Sequence, residues 1–126
     1  MEFSRECLVG RWYRTDINEQ GLQTSEFAEL SIDGSFEFTF LTLNKQGAIQ
    51  EQIVELGDWG LVGDIHFTIT KNELIDNELY AADLADADNY HAYKVLTLNN
   101  KQFEYQHVQS KEVFILRRVL DTIAFC

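Results

Sequence analysis

Ala28-Glu29-Leu30-Ser31-Ile32-Asp33-Gly34-Ser35-Phe36-Glu37-Phe38-Thr39-Phe40 decides the fold class. Before the turn, Ala28, Leu30 and Ile32 share one face, and Ser25, Glu29 and Ser31 share the other. Asp33-Gly34 is a dipeptide that favours a tight hairpin. After it, Phe36, Phe38 and Phe40 repeat with period two, separated by Glu37 and Thr39. A half-buried strand puts such a row on one face, whereas a helix would scatter it. The stretch reads as an antiparallel hairpin with one apolar side.

The same rhythm extends in both directions. Leu8 to Tyr13 reads as a short opening strand, and Ser25 to Ile32 as the strand before the hairpin. The turn Asn44-Lys45-Gln46-Gly47 leads into a long strand from Ala48 to Trp59. Gly57 interrupts it and marks a bulge or corner, with Val54, Leu56 and Trp59 expected on one side. Ile65, Phe67 and Ile69 then alternate with His66, Thr68 and Thr70, which places His66 toward solvent. Further strands read from Tyr90 to Leu98, Gln102 to Val108 and Val113 to Val119. One segment departs from this rhythm. Asn72 to Asn89 holds six carboxylates and no basic residue, with Leu74, Ile75, Leu79 and Leu84 near helical spacing. It reads as a short amphipathic helix or an acidic loop over the sheet.

Composition bounds the rest. The chain has 126 residues, with 10 Lys+Arg against 21 Asp+Glu, so its net charge is −11. That length and a 45% hydrophobic fraction fit one globular domain over residues 1–126. The charge gives no attraction to nucleic acid or to anionic membranes. No apolar run approaches the roughly 20 residues of a spanning helix. Two cysteines, Cys7 and Cys126, stand near the two ends. Unpaired thiols and the lack of a leader-like start point to a reducing, cytoplasmic setting. A closed barrel would also bring its first and last strands together, and with them the two thiols.

Short strands and tight turns fit either a sandwich or an up-and-down barrel. Gly10-Arg11-Trp12 resembles the Gly-x-Trp signature on the first strand of lipocalins and other calycins. The segment Gly57-Asp58-Trp59-Gly60-Leu61-Val62-Gly63-Asp64-Ile65 is similar to the Gly-x-Trp, Gly-Asp turn of small bacterial lipocalin-like domains. The resemblance implies an all-β, antiparallel up-and-down barrel of about eight strands, with the Asn72 to Asn89 segment as an insertion. It also implies that Trp12 closes the barrel's bottom under an arginine of the last strand. Strand parity admits either Arg117 or Arg118. Arg117 is the preferred candidate, because Val113 and Ile115 share its face; Phe114 and Leu116 make the parallel case for Arg118.

A barrel of this kind implies a small apolar or aromatic ligand in its open end. The candidate lining is Phe36, Phe38, Phe40, Phe67, Phe103, Tyr105 and His107, and the same rings could instead fill the interior. In that second case the chain is an interaction module whose acidic surface meets a basic protein. No metal or cofactor is implied. The three histidines lack zinc spacing, and Asp83-x-x-Asp86-x-Asp88 fails as a calcium loop, since Tyr90, His91 and Thr97 fall where ligands and a glycine are needed. No catalytic serine elbow, phosphate loop or dinucleotide fingerprint occurs, so a non-enzymatic binder is expected.

Overall fold

A computed structural model describes residues 3–120 and residue 126. A single helical turn, α1 (Arg5–Leu8), precedes β1 (Gly10–Ile17), β2 (Gln23–Leu30), β3 (Ser35–Leu43), β4 (Ile49–Val62) and β5 (Ile65–Ile75). There follow β6 (Glu78–Ala81), a 3₁₀ turn (Ala87–Asn89), β7 (Tyr90–Leu98), β8 (Gln102–His107) and β9 (Val113–Arg118). Every pairing is antiparallel. The order β4-β3-β2-β1-β9-β8-β7-β5 closes on itself because β5 also pairs with β4. The result is an eight-stranded barrel, with β6 lying beyond β7 on the same edge of β5.

The deciding hairpin forms as read, with Phe36 opposite Leu30 and Phe38 opposite Ala28. Its loop is Ser31–Gly34: the Ser31 and Gly34 amides donate to the Ser35 and Ser31 carbonyls, and Gly34 sits at φ 92°. Ile32 therefore leaves the inner row and stands 64% exposed in the turn. The opening strand likewise starts at Gly10, since Leu8 ends α1 and drops into the core.

The Asn72 to Asn89 segment is not an amphipathic helix. Leu74 and Leu79 face each other across a hairpin of β5 and β6, turned at Asp76 and Asn77 with φ of 52° and 66°. Both central residues at positive φ define the turn whose twist suits adjoining strands. The remainder is an acidic loop ending in the 3₁₀ turn. Local turn chemistry overrode the helical spacing of the leucines.

Inner and outer faces depart from the sequence reading on β4 and β5. Phe38 lies opposite Glu55 and Phe36 opposite Gly57, so Glu55 and Gly57 face inward and Val54 and Leu56 outward. The β4–β5 register shifts between the pair Leu56 with Asn72 and the pair Gly57 with Thr70, so the extra residue is Lys71 of β5. Strand β4 keeps its alternation through Glu55, Gly57 and Trp59 instead of bulging at Gly57 as expected. A Cβ on Gly57 would come 2.8 Å from the Phe36 ring and closer still to the Ile69 carbonyl oxygen, so only glycine lets the strands approach. Past that bulge Trp59 pairs with Thr68, and His66, Thr68 and Thr70 turn inward, each at most 3% exposed. Phe67 is thus on the outside, its ring lying over Gly60, which pairs with it. The outer set, Ile65, Phe67 and Ile69, is itself half-buried.

Trp12 seals one end. It is fully buried, its indole N–H donates to the Leu8 carbonyl at 2.9 Å, and the Arg118 guanidinium sits 4.0 Å from its ring centroid. Arg118, not Arg117, closes the barrel: it is 5% exposed, and Arg117 faces solvent. The apolar face of β9 is Phe114 and Leu116, whereas Val113 and Ile115 are exposed. Gly10 bends the chain from α1 into β1 at φ 136°, a region that glycine enters freely. Cys7 and Cys126 form a disulfide, so they are not the two free thiols expected from compartment. Trp12 pairs with Arg118 across β1 and β9, so the segments before β1 and after β9 leave the same end. The thiol-based reason for a reducing setting falls with that bond.

Candidate ligand cavity

Above this seal the interior fills in two steps. Leu30, Phe36, Trp59, Phe103 and Leu116 pack as a solid layer over Trp12. Phe38 stacks on Phe36 with centroids 4.1 Å apart and begins the next layer. There the packing opens into a cavity of about 200 Å³, bounded by Phe38, Phe40, Tyr93, Tyr105 and Phe114 with Arg14, Glu26, Glu55, His66, Thr68, Thr70 and His91. Each wall strand contributes by alternation: Arg14 follows Trp12 by two on β1, and Glu26 stands directly opposite it on β2.

The polar groups are not equivalent. Arg14 Nε donates to Glu26 at 2.7 Å, and the guanidinium lies 4.9 Å from the Phe114 centroid. Burial, the largest single influence, would depress the Arg14 pKa, but the hydrogen bond and charge of Glu26 together with Tyr105 and Asp16 raise it overall. Glu55 accepts one hydrogen bond, from Thr70 Oγ1 at 3.0 Å. Burial chiefly, with the charges of Glu73 and Glu26, pushes its pKa up. Burial also raises both Tyr93 and Tyr105, so the phenols stay protonated.

His66 lies at the cavity floor among Trp59, Tyr93, Phe103 and Tyr105, 5.6–6.2 Å between centroids. Burial drives its pKa down to about 4. Its Nδ1 is 3.2 Å from the Gly60 carbonyl, which only accepts, so the neutral ring carries its proton there. Nε2 keeps a free lone pair, with no hydrogen-bond partner among the described residues.

At the rim, the Gln109 and Ser110 amides donate to His107 Nδ1 at 3.1 and 3.2 Å. In neutral His107 the proton is then on Nε2, which donates to His91 Nδ1 at 3.2 Å. His91 is left with an Nε2–H donor on the cavity wall.

Of the residues expected to line a lumen, Phe38, Phe40 and Tyr105 border the cavity. Phe36 and Phe103 lie beneath it in the packed layer, and His107 stands behind His91. Phe67 is outside, for the register reason given above. Sequence alternation alone missed Glu55, His66, Thr68 and Thr70; the available signal was Trp59, whose face on β4 Glu55 shares and which Thr68 opposes across the Gly63-Asp64 turn. Arg14, Glu26 and Phe114 follow from the parity of Trp12 and Arg118. Among the described residues no cluster of His, Cys, Asp or Glu is arranged to hold a metal. No described helix is long and apolar enough to cross a membrane.

Known proteins resemble this chain in fold and not in sequence. No protein-family model matches it, and no curated protein does. Among solved structures it is similar to a lipocalin-like protein from Bacteroides uniformis, with a TM-score of 0.52 at 18% identity. The likeness covers 89% of this chain and 98% of that one.

Proposed function

On a lipocalin-like, eight-stranded antiparallel barrel, we propose that the chain binds a small apolar or aromatic molecule in its lumen and performs no chemistry on it. The observation that carries this reading is the unfilled volume between five aromatic rings, above a floor that is packed solid. A side-chain-filled interaction barrel would have no reason to stop packing at that level. The cavity's size limits the occupant. It is below the roughly 300–1,000 Å³ of pockets for drug-sized ligands and close to the roughly 150 Å³ of a cavity that takes benzene. One or two fused rings fit; a fatty acid does not. With the chain's acidity, nucleic acid and anionic membranes stand outside the partners we propose.

Calorimetric titration with indole tests this. Saturable one-to-one binding is expected, and Thr68→Leu, which extends a side chain into the cavity, should weaken it at least tenfold. Ile115→Ala, on the outer face, should leave it unchanged. Absence of saturable binding, or binding indifferent to Thr68→Leu, would contradict a lumen site.

A further inference from the structure

Resting on the lumen as the binding site, we propose that its ligand is a cationic aromatic molecule, an aryl-alkyl ammonium, with Glu55 as the counter-charge.

Glu55 is a carboxylate inside a barrel with no cation assigned to it. Thr70 Oγ1 satisfies one oxygen at 3.0 Å, and no described residue hydrogen-bonds the other. The charges that reach it, from Glu73 and Glu26, are of its own sign. Arg14, the cation of the cavity wall, is engaged: its Nε bonds Glu26 and its guanidinium covers Phe114. The other described ion pair, Lys71 with Asp58, uses a lysine that is about half exposed. Glu55 is half-buried, where a charge without a partner is costly, and a ligand that brings the opposite charge offsets part of that cost.

The surroundings favour the same occupant. Phe38, Phe40, Tyr93 and Tyr105 line the cavity beside Phe114, whose ring already carries the Arg14 guanidinium, and aromatic rings attract a cation through their quadrupole. His66, 3% exposed, offers a lone pair without a partner at the floor. An ammonium has N–H donors for Glu55 and for an acceptor such as this one, and no acceptor of its own to leave unmatched. A carboxylate ligand would find Arg14 and His91 as donors, but Arg14 is already paired with Glu26 and the charge of Glu55 would oppose it. A neutral ring would leave Glu55 as it is.

Three probes with one ring separate these cases: 2-phenylethylammonium, ethylbenzene and phenylacetate, titrated into the full chain by calorimetry. The ammonium should bind at least tenfold more tightly than ethylbenzene, and phenylacetate should bind most weakly. Glu55→Gln keeps the shape and removes the charge. It should cost the ammonium at least tenfold while leaving ethylbenzene within about twofold, which also reports that the variant is folded. Glu37→Gln, on the outer face, should change neither. Equal binding of ammonium and ethylbenzene, or an ammonium affinity untouched by Glu55→Gln, overturns this inference and leaves the lumen reading standing. Preferred binding of phenylacetate overturns it in favour of Arg14 as the recognising charge. Failure of all three rings to bind overturns the lumen reading together with it.

Discussion

Arg118 lies 4.0 Å from the Trp12 ring centroid and donates to the carbonyls of Val9, Asn100 and Cys7. One side chain from the last strand thereby joins the first strand, the segment before it and the β7–β8 turn. The direct pairing of β1 with β9 is only two residues long, Trp12 with Arg118 and Tyr13 with Arg117. The guanidinium supplements a short seam.

Trp12→Ala should cost about 3–5 kcal/mol, the usual range for deleting a buried large aromatic. Arg118→Ala should cost about 2–4 kcal/mol, because charged hydrogen bonds are lost along with the cation–π contact. Arg117→Ala should stay within about 0.5 kcal/mol. Denaturant midpoints of the three variants beside the parent check the order.

The disulfide closes a loop across a sequence separation of 119 residues at the same seam. Loop-closure entropy predicts that Cys7→Ser or Cys126→Ser lowers stability by about 3–5 kcal/mol. Intact mass of the unreduced protein should be two hydrogens below that of the reduced chain. A native mass equal to the reduced one would remove the bond and restore the two-thiol expectation.

His66 makes the fold sensitive to acid. Its pKa is about 4 in the fold against roughly 6.5 in an unfolded chain. Neutral His66 costs nothing above pH 6.5. Between about pH 6.5 and pH 4 the unfolded chain takes up a proton that the barrel refuses, and stability falls by about 3 kcal/mol in all. Glu55, whose pKa is raised, works in the opposite sense and favours the fold as pH drops. Subtracting the pH profile of His66→Phe from that of the parent isolates the histidine. A difference that does not change with pH would place the ring in water.

Gly57→Ala should destabilise by about 2 kcal/mol or more, since the added methyl meets the Ile69 carbonyl and the Phe36 ring. Gly47→Ala tests a different cost. Its methyl has open space, so only the φ of 85° opposes it, at about 1–2 kcal/mol. Thermal unfolding of the pair compares steric with conformational strain.

The barrel was legible because aromatic alternation in Phe36, Phe38 and Phe40 and the Gly-x-Trp of β1 depend on local period and turn chemistry. The lumen was less so. On β5, two alternating sets compete for the inside, and hydrophobicity favours Ile65, Phe67 and Ile69. The outcome depended on the β4–β5 register, with Trp59 opposite Thr68 and Lys71 as the extra residue, and alternation within β5 does not carry that register. The choice between Arg117 and Arg118 failed for a related reason: both faces of β9 are apolar enough, and only pairing with Trp12 distinguishes them. Cys126 was hard to place because nothing in its immediate sequence encodes the meeting of chain ends that barrel closure produces.

The most direct test of a lumen ligand is a heteronuclear NMR titration with indole, following backbone amides and the two tryptophan side chains. Shifts that saturate together and concentrate on the strands carrying Phe38, Glu55, His66, Thr68 and Tyr93, with Ile115 and Val62 on the outer wall and end turn unmoved, are the expected result. Shifts that gather instead on the outer face around Phe27 and Ile115, or none at saturating indole, would contradict binding inside the barrel.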